Sequence, residues 1–385
     1  MNTIAHYIKS VADMVQQRGV LVSIRLIFHW IYYEYFFNIE DIADDVQTVR
    51  EGGEFRIKYK GIQKRIRHVD EVEGRASLGT REILEFSDVS VKRCEGASMI
   101  KKDGYIFSPL DSAPFSNQSY VRAASNTNFD SDLTISTGYL IYEMHSAFGH
   151  WQTEILTQLR YIDIIKFQTE KIDIILAARK PGDNSIRWKL DWLEEIGIKP
   201  DYVLKNTAIG AERLFLPNFI PLNNYIRTYP HPSELRWVSK NLDNSTKCTA
   251  NNCPRHLFVS RAGQGWRNII NLEQIKPLLQ EFNFTVVRPE TLSPKQQVNL
   301  FSNAKIVCGP AGSGLLRTTY TDDVTLLEII PNTGLNNAVL VLSNLLNFNY
   351  DYVEAEIIPN GRPKSRDQDL KVDTESLRKL FETYL

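Results

Sequence analysis

The stretch Lys305-Ile306-Val307-Cys308-Gly309-Pro310-Ala311-Gly312-Ser313-Gly314-Leu315-Leu316 constrains this chain more than any other. A short apolar run reads as a buried strand, and the glycines behind it allow positive φ or close backbone approach before a helix over 313–320. Strand, glycine turn and helix in that order make a phosphate-binding layout. Ser313 is placed to cap the helix, whose free N–H groups and positive dipole end attract an anion such as a nucleotide diphosphate. The spacing G-x-x-G-x-G is neither the dinucleotide fingerprint nor a P-loop, so the turn alone also fits a tight strand-to-helix connection with no ligand.

The turn sits inside a regular alternation. Apolar runs at 256–260, 284–287, 305–308, 325–330 and 350–353 read as strands, and amphipathic segments at 272–281, 294–302, 313–320 and 336–346 read as helices. Such alternation builds βαβ units around a parallel sheet. A charged loop and a helix over 374–384 follow. Upstream, 55–59, 88–92, 105–107 and 138–142 are strand-like, in a β-rich region whose topology the pattern does not give. From Gly149 the rhythm becomes helical, with Trp151, Ile155, Leu159 and Ile162 on one face of a helix reaching about Lys166. A strand at 172–176, a helix at 185–196 and strands at 202–204 and 213–216 continue the alternation. The proline- and asparagine-bearing segment 217–232 reads as a hinge, followed by a helix over 233–242 and a polar loop over 243–254. The expected organisation is α/β: N-terminal helices over 1–45, a domain over 46–225, a Rossmann-like domain over 226–365 and a C-terminal helix over 366–385.

At 385 residues, 43% apolar and 24% charged, the chain has the length and composition for two globular cores. Forty-five basic residues against 46 acidic ones give a net charge of -1, which points away from nucleic acid as a partner. Four scattered cysteines are too few for a disulfide framework and fit a reducing compartment. Cys248, Cys253 and His256 lack the second pair of ligands that a zinc site needs, so the two cysteines read as free loop thiols. Residues 20–37 are apolar and aromatic but interrupted by Arg25, His29 and Glu34. A central arginine costs about 2.5–3.5 kcal/mol on insertion, which disfavours a spanning helix. The segment reads either as a helix lying in the membrane interface or as one packed on the protein core.

In an open α/β sheet a ligand lies beyond the carboxyl ends of the strands. That rule selects Ser260 and Arg261, Arg288 and Glu290, Gly309 to Ser313, and the segment after Ile330. Arg261 and Arg267 offer planar donors suited to phosphate oxygens, or they form a solvated charge pair on a loop. Glu328, inside the apolar run Leu326-Leu327-Glu328-Ile329-Ile330, is costly to bury without partners and serves either a ribose hydroxyl or a structural pairing. In the first half, His145 and His150 flank a loop-to-helix junction. Glu154 follows His150 by four residues and so shares its helix face, where it can orient the imidazole.

These pieces resemble the family 61 glycosyltransferases. The resemblance rests on Phe258-Val259-Ser260-Arg261, Arg267-Asn268-Ile269-Ile270-Asn271 with Glu273, and Pro289-Glu290 with Leu292-Ser293 and Gln297. It continues with Gly309-Pro310-Ala311-Gly312-Ser313-Gly314-Leu315 and Leu327-Glu328-Ile329-Ile330-Pro331, and upstream with Gly149-His150-Trp151 and Glu154. It spans about 134–331. What it implies is a GT-B architecture of two facing Rossmann-like domains and inverting, metal-independent transfer of a sugar from a nucleotide diphosphate to a glycan or lipid-linked acceptor in surface-polysaccharide assembly. Donor-binding residues would be Arg261, Arg267, Gly309, Gly312, Ser313, Gly314, Arg317 and Glu328, with His150 and Glu154 catalytic. The resemblance implies no cofactor beyond the donor substrate, and an enzyme of the cytoplasm or of the inner membrane face. One departure stands out: Ala311 occupies the position where the family usually has histidine, and Arg317 stands near where many relatives carry asparagine. Either a neighbour such as Arg317 replaces the missing group, or the donor is held differently, or the chain is a non-catalytic nucleotide- or glycan-binding relative.

Overall fold

Two sheets organise the protein, one mixed and one almost wholly parallel. The computed structural model describes residues 44–50, 53–56, 75–78, 80–94, 97–103, 105–107, 128–143, 148–178, 183–204, 207–220, 230–242, 253–332, 338–363 and 367–385. The segment 20–37, His145, the loop 243–252 and the expected boundary at 225/226 lie outside them. Among the described residues no helix is long and apolar enough to cross a membrane.

The first sheet contains β1 (Asp45–Arg50), β4 (Thr80–Cys94), β5 (Ala97–Lys102), β6 (Tyr105–Phe107), β7 (Thr134–Tyr142), β8 (Asp173–Ala177), β9 (Tyr202–Val203) and β10 (Ile209–Ile220). A separate hairpin pairs β2 (Gly53–Arg56) with β3 (Arg75–Leu78). The order is β6-β5-β4-β10-β7-β8-β9, with β1 on the first half of β4. Strands β10, β7, β8 and β9 run parallel, whereas β4 is antiparallel to β10. The alternation of β4 changes phase at Asp88, whose φ is 55°. Leu84 and Phe86 before it and Val89 and Val91 after it all enter one apolar cluster. This phase change is why only 88–92 reads as a strand in sequence.

The second sheet has the order β12-β11-β13-β14-β15-β16, built from β11 (His256–Val259), β12 (Phe284–Val287), β13 (Ile306–Pro310), β14 (Thr325–Pro331), β15 (Asn349–Ile358) and β16 (Asp369–Val372). All neighbours are parallel except β16. Strand β16 corrects the expected charged loop: Asp-Leu-Lys-Val alternates, and Leu370 and Val372 turn into the core. The expected hinge also begins too early, because 217–220 belongs to β10. Beyond Phe215 that strand no longer pairs with β7, so the missing N–H of Pro217 forfeits no bond on that side.

Among the described residues the helical segments include α1 (148–166), α2 (Asp183–Glu195), α3 (Pro232–Asn241), α4 (Leu272–Glu281), α5 (Pro294–Ser302), the short 3₁₀ element α6 (Leu315–Tyr320), α7 (Ala338–Leu345) and α8 (Thr374–Tyr384). Helices α4 and α8 bury Ile275, Leu279, Leu377 and Phe381 on one face of the second sheet. The C-terminal helix is thus seated on that sheet, with Phe381 stacked on Phe284 at 4.5 Å between ring centroids. The opposite face joins a cluster that runs continuously into the first sheet. It links Ile141 and Leu176, then Trp151, Ile155 and Leu159 of α1, Trp192 and Leu193 of α2, and Leu235 and Val238 of α3, to Leu316, Tyr320, Val307 and Leu326. Cys253 is disulfide-bonded, which corrects its reading as a free loop thiol.

Two ion pairs are buried in this layered core. Glu234 of α3 accepts from Arg81 Nε at 2.9 Å, from the backbone N–H of His231 at 2.7 Å and from the Tyr161 hydroxyl, so α3 is tied to β4 and α1. Lys189 Nζ donates to Glu143 at 2.6 Å, with both side chains at most 1% exposed, and lies 5.5 Å from the centre of the Trp188 ring. Removing one member of a buried pair leaves a charge in a low-dielectric site, at a cost of about 3–5 kcal/mol. Lys189→Ala should therefore lower the denaturant-derived unfolding free energy by that amount. Lys189→Met combined with Glu143→Leu should recover part of it, and a loss well below about 1 kcal/mol for the single change would contradict this assignment.

Candidate functional site

Strand β11 ends at Val259, and the chain then passes β13, β14 and β15 to reach β16 before it returns as α4. The crossing is pinned at its far end, where Ile269 bridges Leu370 of β16 and Ile270 N donates to the Leu370 carbonyl at 2.9 Å. Asn268 fastens it further through its backbone N–H and side-chain amide, both on Asp369 Oδ1, at 2.9 and 3.0 Å. The loop over 260–268 thus overhangs the glycine turn.

That turn is packed too closely for side chains. A Cβ on Gly309 would stand 2.7 Å from the Val259 carbonyl oxygen, and one on Gly314 2.8 Å from Val259 Cγ1. At Gly312, where φ is 153°, a Cβ would meet Arg261 Nη1 at 2.7 Å and Arg267 Nη1 at 3.3 Å. Two guanidiniums therefore face the turn at Gly312. Arg267 Nη1 also donates to the Ala311 carbonyl at 2.8 Å, and Arg261 Nε to the Trp266 carbonyl at 3.2 Å. Burial and the adjacent Arg267 pull the Arg261 guanidinium down to about 10, which leaves it charged at neutral pH. Two partly desolvated like charges held side by side are the setting in which an anion is strongly attracted.

The helix expected from Ser313 takes another form. Leu315–Tyr320 is a 3₁₀ element of six residues with Gly314 at its N-cap and no side-chain cap. Thr318 Oγ1 turns back onto the Leu315 carbonyl at 2.8 Å, a local bond that competes with regular α-helix. So short an element supplies little dipole, and the positive potential at the turn comes from the arginines.

The amino end of α1 sits directly on this turn. A Cβ on Gly149 would lie 2.9 Å from Leu316 Cδ1 and 3.1 Å from Ser313 Cβ, so only glycine lets α1 approach this closely. Buried Gln152 donates through Nε2 to the Leu316 carbonyl at 2.8 Å and to Thr319 Oγ1. Residues Trp151–Ile155 are wound as a π-helix, in which Leu156 N bonds the Trp151 carbonyl, while Thr153 Oγ1 donates to the Gly149 carbonyl at 2.8 Å. Single π turns inside α-helices recur at functional sites. In this segment His150 Nδ1 meets Glu154 Oε1 at 2.5 Å, with the two side chains 20% and 16% exposed. A partly buried histidine–carboxylate pair thus follows directly on the contact of Gly149 with Ser313.

Arg317 is placed differently from Arg261 and Arg267. It is 5% exposed, donates from Nε to Gln297 Oε1 at 2.5 Å and from Nη1 to the Ser313 carbonyl at 3.3 Å, and lies 3.9 Å from the Phe148 ring centre. Burial lowers its pKa to about 10, so it remains a cation. It braces the turn from behind, between α5 and α1. Ala311 is buried, and the cations beside it are Arg261 and Arg267. Glu328 lies in the middle of β14 opposite Gly309 and accepts from the Tyr350 hydroxyl at 2.7 Å, while its Oε1 has no partner.

Residues 148–327 match the sequence model of the family described as Glycosyltransferase 61. The match covers just under half of the chain and supports a glycosyltransferase of that family. The matched region begins at the start of α1 and ends in β14, so it contains both sides of the contact just described. No curated protein matches this transferase in sequence. Among solved structures, the metal-soaked flavodiiron core from Synechocystis sp. aligns at 8% identity over 78% of this chain and 62% of that one, with a TM-score of 0.23, too low to carry any argument.

The structure brings Arg261 and Arg267 to Gly312, and packs Gly149, the residue before the His150–Glu154 pair, against Ser313. It sets Arg317 behind the turn and Glu328 beneath it. Sequence reasoning passes over Gln152 and Thr319, which a buried amide four residues before the helix-facing Leu156 does not advertise. It also passes over Trp266, which is 37% exposed, and Arg362, stacked on it at 4.7 Å. Trp266 could have been noticed as a large aromatic between two glycine-rich positions and an arginine.

Burial pushes the Glu328 carboxyl up to about 7, against the opposing hydrogen bond from Tyr350 and the charge of Arg267. A raised folded-state pKa means the native protein binds a proton that the unfolded chain has released. The resulting stabilisation is complete below about pH 4.5 and is lost as pH rises toward about 7. Relative to Glu328→Gln, the unmodified protein should lose unfolding free energy across that window in urea titrations. Parallel pH profiles for the two proteins would contradict the raised value.

Proposed function

We propose that this transferase is an inverting enzyme of the two-lobed GT-B kind, moving a sugar from a nucleotide-diphosphate donor to a glycan or lipid-linked acceptor in surface-polysaccharide synthesis. The observation that supports the reading is the contact of Gly149, the residue before a histidine–carboxylate pair, with Ser313 in a glycine turn faced by two arginines. In this scheme the diphosphate lies against Gly309, Gly312, Ser313 and Gly314 and under Arg261 and Arg267. The acceptor hydroxyl gives its proton to His150, its oxygen bonds to the anomeric carbon, and the bond from that carbon to the diphosphate oxygen breaks. The leaving electron pair stays on the diphosphate, where Arg261 and Arg267 neutralise the added charge. Glu154 orients the imidazole and stabilises the imidazolium. Glu328 and Arg317 support the floor of the donor site. The scheme calls for no cofactor and no metal ion, because fixed guanidiniums meet the leaving-group charge. A lipid-linked acceptor would set the enzyme at the cytoplasmic face of a membrane.

Base catalysis acts in the transition state and not in donor binding. His150→Ala should therefore cut sugar transfer by about 10²–10⁴ with nucleoside-diphosphate affinity nearly intact. Arg261→Ala should weaken binding and lower transfer by about 10²–10³. Both rates are read with nucleotide-sugar donors, and affinities by calorimetry. Equal losses of binding and turnover in His150→Ala would move that residue from base to donor holder, and unchanged turnover in Arg261→Ala would remove the donor from this turn.

A further inference from the structure

Trp266 and Arg362 come from two loops at the same edge of the second sheet, and the scheme above uses neither. Trp266 lies in the loop after β11 and Arg362 in the loop after β15, brought together because the first loop passes β13, β14 and β15 to reach β16. The indole is 37% exposed, and the Arg362 guanidinium carbon lies 4.7 Å from its centre. Arg362 is itself held in place. Its Nε donates to the Gly265 carbonyl at 2.9 Å, its backbone N–H to Asn360 Oδ1 at 3.2 Å, and its carbonyl accepts from Gln368 Nε2 at 2.5 Å. A Cβ on Gly265, where φ is 75°, would stand 3.3 Å from Arg362 Nη2, so the glycine lets the arginine close over the neighbouring ring.

An indole that is 37% exposed and braced by a hydrogen-bonded guanidinium presents a fixed planar surface to a ligand. The same short loop joins this ring to the phosphate-facing cation, since Arg261 Nε donates to the Trp266 carbonyl at 3.2 Å. Along one loop, then, the protein offers guanidiniums at Gly312 and an exposed indole beside them. A ligand that carries an anion and a planar aromatic ring in one molecule matches both. We propose that the open part of Trp266, steadied by Arg362, is the stacking platform for the nucleobase of the donor. The assignment rests on the donor reading given above. An acceptor sugar would use the indole but would have no need of the adjoining arginines, whereas a nucleoside diphosphate uses both.

Stacking on an aromatic is tolerant of base identity, so the platform fixes the position of the nucleoside more than its choice. The test is calorimetric titration of the full chain with UDP, GDP, CDP and ADP in turn, and with inorganic pyrophosphate as a probe that lacks a base. Unmodified protein should bind at least one nucleoside diphosphate more tightly than pyrophosphate. Trp266→Ala should weaken that nucleotide by about tenfold to a hundredfold, the range for deleting one base–aromatic stack, and leave pyrophosphate within about twofold. Trp266→Phe should restore most of the affinity, and Arg362→Ala should give a smaller loss than Trp266→Ala. Arg261→Ala should weaken nucleotide and pyrophosphate alike. Nucleotide affinity unchanged in Trp266→Ala, or pyrophosphate weakened as much as the nucleotide, would overturn the platform while leaving the donor site standing. Failure of the unmodified protein to bind any of the five probes would overturn both. Thermal unfolding of each variant separates these outcomes from misfolding.

Discussion

The carboxamide of Gln152 holds the two halves of the site in register. Its Nε2 donates to the Leu316 carbonyl and to Thr319 at the same time, in a buried setting where an unmet donor is costly. That bond fixes the height of α1 above α6. Gly149 then allows its backbone against Ser313, and the Phe148 ring meets the Arg317 guanidinium. Everything the site can do depends on this docking, because His150 and Glu154 ride on the helix whereas the glycine turn belongs to the other sheet. The surrounding apolar cluster is shared by both sheets, so the contact is part of a continuous core.

The electrostatics of the site follow from where its cations are. With only a six-residue 3₁₀ element after the glycines, a helix dipole is too weak to organise an anion, and the crossing loop brings Arg261 and Arg267 over Gly312 instead. A loop that spans three strands is held in place at its far end by the Ile269–Leu370 bridge and the Asn268–Asp369 bonds. Strand β16, at the sheet edge, therefore matters to the site although it contributes no side chain to it. Arg317 plays a complementary part: buried and hydrogen-bonded to the Ser313 carbonyl, it braces the turn from within the protein. Replacement of the family's usual histidine by Ala311 is compatible with this arrangement, since guanidiniums already stand at the adjacent glycine.

Much of the second sheet was legible in the sequence because each strand is a short apolar run and each helix has its own amphipathic stripe. The contact of His150 with Glu154 could be read from their spacing, and it survives the local π winding. What could not be read are features set by distant partners. The half-buried alternation of β16 is only four residues long and lies in a charged stretch. The phase change at Asp88 disguises a fifteen-residue strand, and Pro217 disguises the end of β10. The depth of Arg317 could not be read either, because it depends on Phe148 and Gln297, neither of which is near it in sequence. Trp266 shows in sequence only as an aromatic among glycines and an arginine, since its exposure and its arginine brace are products of the loop crossing.

The central claim is that docking of α1 on the glycine turn sets the base against the donor. Gln152→Met tests it, because the change removes the two hydrogen bonds at similar volume and touches neither His150 nor the arginines. A misplacement on the order of 1 Å can cost about 10² in rate. The account predicts a fall in kcat for sugar transfer of about tenfold to a hundredfold, with nucleoside-diphosphate Kd within about twofold and the fold intact by circular dichroism. An unchanged kcat, or a Kd that weakens as much as kcat falls, would contradict it.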